Sequence, residues 1–102
     1  MYNIILVCEH GASTGMMTDR IKDAAAAQGI DVIVNAYPYT KLQEIIDAAD
    51  IVLLGPQVRF KKKIFEQQYA DQGVKFMVID TVDYGMMNGE KVLDQAEKLI
   101  NK

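Results

Sequence analysis

The chain has 102 residues, half of them hydrophobic and a quarter charged, with a formal net charge of −3. That length suits one compact domain, residues 1–102, and the acidic balance gives no basic footprint for nucleic acid. The single cysteine excludes an internal disulfide, Cys-x-x-Cys redox chemistry and cysteine-rich zinc sites, and the lack of a long apolar stretch predicts a cytoplasmic protein without direct membrane insertion.

Ile4 to Val7 is a continuous apolar run with β-branched residues, the pattern of a strand buried on both faces. It feeds directly into Cys8-Glu9-His10-Gly11-Ala12-Ser13-Thr14-Gly15. Met17, Ile21, Ala24 and Ala25 then recur at helical spacing; Ser13 or Thr14 is the expected cap and Gly29 the expected stop. Ile30 to Val34 reads as a second strand, ending before Tyr37-Pro38. Thr40 and Gln43 make a capping-box pattern for a short helix that turns Leu42, Ile45, Ile46 and Ala49 inward. Ile51 to Leu54 is a third buried strand, broken by Gly55-Pro56. Phe60, Ile64, Phe65 and Tyr69 mark the inward face of a third helix that Gly73 ends. Val74 to Ile79 is a fourth strand, and Asp80 to Met87 reads as a loop. Asn88 caps a last helix with Val92, Leu93, Ala96, Leu99 and Ile100 on one face.

Strict alternation of strands and helices predicts an α/β fold: an open four-stranded parallel sheet with helices on both faces. Right-handed crossovers and one change of winding direction give the order 2-1-3-4. Ligands of such sheets bind beyond the carboxyl ends of the strands, at the switch point, here between strands 1 and 3. The Cys8 loop, Gly55-Pro56-Gln57 and Asp80 to Tyr84 all follow strands at that edge.

A strand, a tight loop and a helix start place a thiol at this edge. Free N–H groups at a helix start bind anions, and the helix dipole favours negative charge there, including a thiolate. One loop could thus activate a sulfur nucleophile, open to a protein-sized donor, and cradle a phosphoryl group on it. The competing reading is a small apolar cysteine that closes a strand. Ser13 and Thr14 hydroxyls serve either as phosphate donors or as helix caps. Gln57 either lines the crevice or bonds to backbone, and Asp80 and Tyr84 are the crevice candidates after strand 4. Arg59, Lys61, Lys62 and Lys63 form a basic cluster near the same edge, either a solvated helix face or a dock for an acidic partner. Met16-Met17 and Met86-Met87 suit core filling or an adaptable contact surface.

The loop Cys8-x-x-Gly11-x-Ser13-Thr14, the segment Leu53-Leu54-Gly55-Pro56-Gln57 and the segment Val78-Ile79-Asp80…Tyr84-Gly85 together resemble the IIB components of the lactose/cellobiose class of bacterial sugar phosphotransferase systems. The resemblance covers the whole chain. It implies that Cys8 accepts a phosphoryl group from a phosphohistidine on a IIA protein and passes it to a sugar bound by a membrane IIC permease. The phosphate would sit in the loop Glu9 to Gly15, and no metal or organic cofactor is implied. The loop departs from the family's commoner pattern at Glu9 and His10, where small residues are usual. Glu9 beside a dianion is expected to turn to solvent, and His10 either pairs with the thiophosphate or stays an exposed loop histidine.

Two other classes compete. Low-molecular-weight protein tyrosine phosphatases place a cysteine after the first strand in Cys-x5-Arg, but Thr14 stands at the arginine position, so the bidentate phosphate clamp is missing. A signalling receiver needs an aspartate ending strand 3, where Leu54-Gly55 stands instead.

Overall fold

The computed structural model describes residues 2–9 and 12–101, with the backbone alone for 12–14. Four parallel strands, β1 (Tyr2–Cys8), β2 (Val32–Pro38), β3 (Ile51–Leu54) and β4 (Lys75–Val78), form one sheet in the order β2-β1-β3-β4. The helices are α1 (Ala12–Gln28), α2 (Leu42–Ile45), α3 (Lys62–Gln68), α4 (Thr81–Gly85) and α5 (Gly89–Ile100). Short 3-10 segments flank α2 on both sides, precede α3 over Pro56–Lys61 and follow it over Ala70–Gln72.

The apolar strands are continuous because each face of the sheet has its own core. Ile4 and Leu6 of β1 and Ile51 and Leu53 of β3 pack under α1 and α5, against Met17, Ile21, Val92 and Leu93. Their neighbours Ile5, Val7, Val52 and Leu54 face the other way, against Leu42, Ile46, Val58, Phe65 and Tyr69. Phe65, Tyr69 and Phe76 close that second core with ring centroids 6.2–6.3 Å apart. Asn3 ties the start of β1 to the approach to β3: its backbone N–H donates to Asp50 Oδ2 at 2.7 Å and its amide to the Ala48 carbonyl at 2.6 Å. Gly29 and Gly73 lie in the left-handed region at φ 70° and 69°, just beyond the helical segments they terminate. On the α1 side, α5 packs so closely that a Cβ on Gly89 would lie against the carbonyl group and Cβ of Arg20.

Several expectations are corrected. β1 extends one residue past its apolar run, so Cys8 belongs to the sheet. β2 runs over Val32–Pro38 instead of Ile30 to Val34, because it lies at the sheet edge and pairs with β1 alone, where a proline costs no ladder bond. β4 is shorter at both ends than Val74 to Ile79. Ser13 and Thr14 lie within the first turn of α1 and not at its cap position. Thr40 sits inside a 3-10 turn, and no side chain caps it or α2; the capping box does not form. Phe60 and Ile64 are 66% and 49% exposed. The inward face of this segment is Val58, Phe65 and Tyr69, because a kink at Val58 and the tighter 3-10 turn shift the helical phase. The Asp80 to Met87 loop contains α4, which Asp80 caps by accepting from the N–H groups of Val82 and Asp83.

Candidate functional site

Cys8 ends a central strand, in register with Pro38 of β2, and is 3% exposed. The expected open thiol is therefore a buried one. Any group that reacts with it must enter the crevice beyond the end of β3, whose last residue Leu54 is in register with Val7. α1 begins four positions further on, at Ala12, and its 17 residues give it a full dipole at that end.

The three edge loops converge on Gly55. Its N–H donates to the Val7 carbonyl at 2.9 Å, which holds it beside the end of β1. A Cβ placed there would lie 2.9 Å from Gln57 Oε1, 3.3 Å from Cys8 Cβ and 3.8 Å from Tyr84 Cε2. The candidates Cys8, Gln57 and Tyr84 thus come together around a glycine. Gly55→Ala keeps the fold, since Gln57 is exposed and its side-chain end can swing aside. The crowding falls instead on Cys8, and a displacement of tenths of an ångström is expected to slow any reaction at its thiol about tenfold. An unchanged rate of reaction at Cys8 in a folded Gly55→Ala protein would contradict this geometry.

Asp80 is exposed, and its carboxylate is engaged in capping α4. The segment it caps carries the buried Tyr84. Glu9 is exposed, and Gly15 is half-buried, its carbonyl accepting from the buried Thr18 hydroxyl. His10 and Gly11 lie outside the described residues, as do the side chains of Ala12, Ser13 and Thr14. Among the described residues no group of three or more His, Cys, Asp or Glu could hold a metal ion.

Two features go beyond the sequence reading. Asp83 is 3% exposed, with Oδ1 3.4 Å from the Lys91 ammonium and Oδ2 unpartnered among the described residues. Its carbonyl accepts from the Asn88 N–H, so it joins α4 to the cap of α5. The signal was present as Asp80-x-x-Asp83, a cap and first-turn carboxylate pattern. The second is Val82, which with Met16 and Met86 leaves large apolar side chains exposed on α1, on α4 and at the α4 cap.

Fold and site together define a class: an α/β protein that carries one thiol at the switch point of a parallel sheet, before a helix start. Residues 3–95 match the family described as PTS system, lactose/cellobiose specific IIB subunit. The oligo-beta-mannoside-specific EIIB component of Bacillus subtilis is 33% identical, over 98% of this chain and 97% of its own. The galactose-specific EIIB component of Lactococcus lactis is 37% identical, over 96% of this chain and 95% of its own. The solution structure of a cellobiose-specific phosphotransferase IIB component from Borrelia burgdorferi is 44% identical, with a TM-score of 0.80 over 98% of this chain and 92% of that one. The chain belongs to this family and is a IIB subunit of a sugar phosphotransferase system, lactose/cellobiose class. The lactose-specific EIICB component of Streptococcus mutans matches 80% of this chain with only 14% of its own length, at 26% identity. The YwlE mutant from Bacillus subtilis shares the fold alone, at 17% identity and a TM-score of 0.66 over both full chains. No helix among the described residues is long and apolar enough to cross a membrane.

Proposed function

We propose that residues 1–102 act as one phosphocarrier unit in which Cys8 takes a phosphoryl group from a phosphohistidine of a IIA protein and delivers it to a sugar held by a membrane IIC permease. The observation that carries this reading is the convergence of Cys8, Gly55 and Tyr84 at the switch point, in a chain of the IIB family. In the first step the sulfur attacks phosphorus, the S–P bond forms as the N–P bond breaks, and the thiol proton is balanced by the imidazole left behind. In the second, a sugar hydroxyl attacks, the S–P bond breaks, and the hydroxyl proton is balanced by the released thiolate. The protein's part is positioning and charge stabilisation. The start of α1 supplies unpaired N–H groups and a favourable dipole, and the loop Glu9 to Gly15 holds the phosphate. Gln57, Asp80 and Tyr84 complete the crevice, with Asp80 acting through the α4 cap. A metal or organic cofactor has no step in this scheme.

The substrate is a sugar of the kind the lactose/cellobiose class carries, such as the β-linked disaccharides cellobiose and lactose, chosen by the permease and not by this subunit. Relatives named for oligo-beta-mannoside, galactose and cellobiose support a carrier whose own fold does not fix the sugar. The EIICB match supports a IIC partner, which brings this cytoplasmic chain to the inner face of the membrane.

The reading is tested by titrating the protein with its IIA partner and following backbone amides by NMR. Amides within 9–15, 56–59 and 81–87 are expected to shift together, because those loops share the carboxyl edge. In parallel, p-nitrophenyl phosphate should be hydrolysed negligibly, since Thr14 offers no arginine clamp. Shifts confined to the opposite edge, around Gly29 and Gly73, would contradict the proposal.

A further inference from the structure

The ridge Arg59-Phe60-Lys61-Lys62-Lys63-Ile64 takes no part in the transfer chemistry. Phe60 and Ile64, 66% and 49% exposed, sit one helical turn apart across the junction of the 3-10 segment and α3, so they share a face. They are not misplaced core, since Val58, Phe65 and Tyr69 fill the buried side of the same segment. Lys62 is tied to Glu66 at 3.1 Å. Arg59 donates to the Pro56 carbonyl at 3.0 Å, which leaves its charge uncompensated. The Lys61 ammonium lies 5.2 Å from the Tyr39 ring centroid and 5.8 Å from that of Phe60. Among the described residues Arg59, Lys61 and Lys63 have no carboxylate partner. In a chain of net charge −3, this is a local positive field wrapped around two exposed apolar side chains.

We propose that this ridge adsorbs to the anionic surface of a lipid bilayer, with Phe60 and Ile64 entering the boundary between headgroups and acyl chains while Lys61 and Lys63 meet lipid phosphates. The composition selects lipid over protein. Packed protein interfaces are depleted in lysine, and three consecutive lysines beside the apolar pair are unsuited to one. Long cationic side chains around an aromatic and an aliphatic anchor are what a headgroup layer accepts. The ridge adjoins the reactive edge, since its 3-10 segment starts at Pro56, directly after Gly55. The lipid contact itself does not depend on the phosphoryl-transfer reading; its use does, for it would hold the thiol edge at the level of a membrane permease.

The test is flotation of the unphosphorylated full chain with vesicles of equal parts phosphatidylglycerol and phosphatidylcholine, against pure phosphatidylcholine. Binding is expected on the anionic vesicles alone, and raised salt should weaken it. Lys61→Gln and Lys63→Gln should each weaken it about fivefold, the factor equivalent to ~1 kcal/mol per cation near such a surface. Phe60→Ser with Ile64→Ser should remove most of the remainder, with an unchanged far-UV circular dichroism spectrum, because Phe60, Lys63 and Ile64 are exposed and Lys61 is half-buried. Absence of binding to anionic vesicles at low salt overturns the proposal, as does binding that these variants leave unaltered. So does a result in which the variants instead slow phosphoryl uptake from phospho-IIA in vesicle-free solution, which would make the ridge a dock for an acidic protein. Uptake by the wild type in solution is read separately, so failure of the lipid contact leaves the phosphoryl-transfer reading standing.

Discussion

Cys8→Ser is expected to abolish phosphorylation by phospho-IIA while leaving the fold intact. Serine differs from cysteine by one atom, and the site is buried in the sheet without a disulfide to lose. What changes is the nucleophile. A hydroxyl is scarcely ionised near neutral pH and attacks phosphorus poorly unless a base takes its proton, whereas a thiol near a helix start yields a far better nucleophile. Label transfer should fall at least ~1000-fold, in line with the loss of a covalent nucleophile elsewhere. A Cys8→Ser protein that takes up label at the wild-type rate would move the acceptor to another residue.

Gly89→Ala is expected to produce the largest loss of stability of any single-methyl change in this chain. A Cβ at this position would overlap the backbone of Arg20, its carbonyl carbon and oxygen included. Backbone atoms in the middle of a long helix cannot swing aside as the end of a side chain can, so α1 and α5 must separate. That separation opens the core holding Met17, Ile21, Val92 and Leu93. Overpacking of this kind costs about 3 kcal/mol, which for a chain of this length lowers Tm by about 15 °C. Thermal unfolding followed by circular dichroism reads it directly. A Tm within a few degrees of wild type would contradict the close contact between the two helices.

The sheet was legible because its strands carry their burial in plain form. Ile4 to Val7 and Ile51 to Leu54 are apolar without alternation, which only a sheet covered on both faces permits. The order 2-1-3-4 and the meeting of three loops at the Cys8 edge then followed from chain alternation and handedness. The helical details were less legible where local signals competed with packing. Phe60 and Ile64 have the spacing of a buried stripe, yet the 3-10 turn after Pro56 rotates them to solvent and buries Val58. The Thr40 and Gln43 pattern gave way to 3-10 geometry once Pro38 closed the edge strand. Gly55 was read as a strand breaker, but its greater importance is the space its missing side chain leaves among Cys8, Gln57 and Tyr84. Asp83 was legible only as a first-turn carboxylate, since its burial depends on α4 and on the turn into α5, which a loop reading does not contain.

The most direct test of the central claim is to phosphorylate the wild type with phospho-IIA and locate the phosphoryl group by fragmentation mass spectrometry. One phosphoryl group per chain is predicted, on Cys8, stable until IIC and sugar are supplied. A phosphoryl group on His10, or brisk hydrolysis of aryl phosphates with no label retained from phospho-IIA, would contradict it.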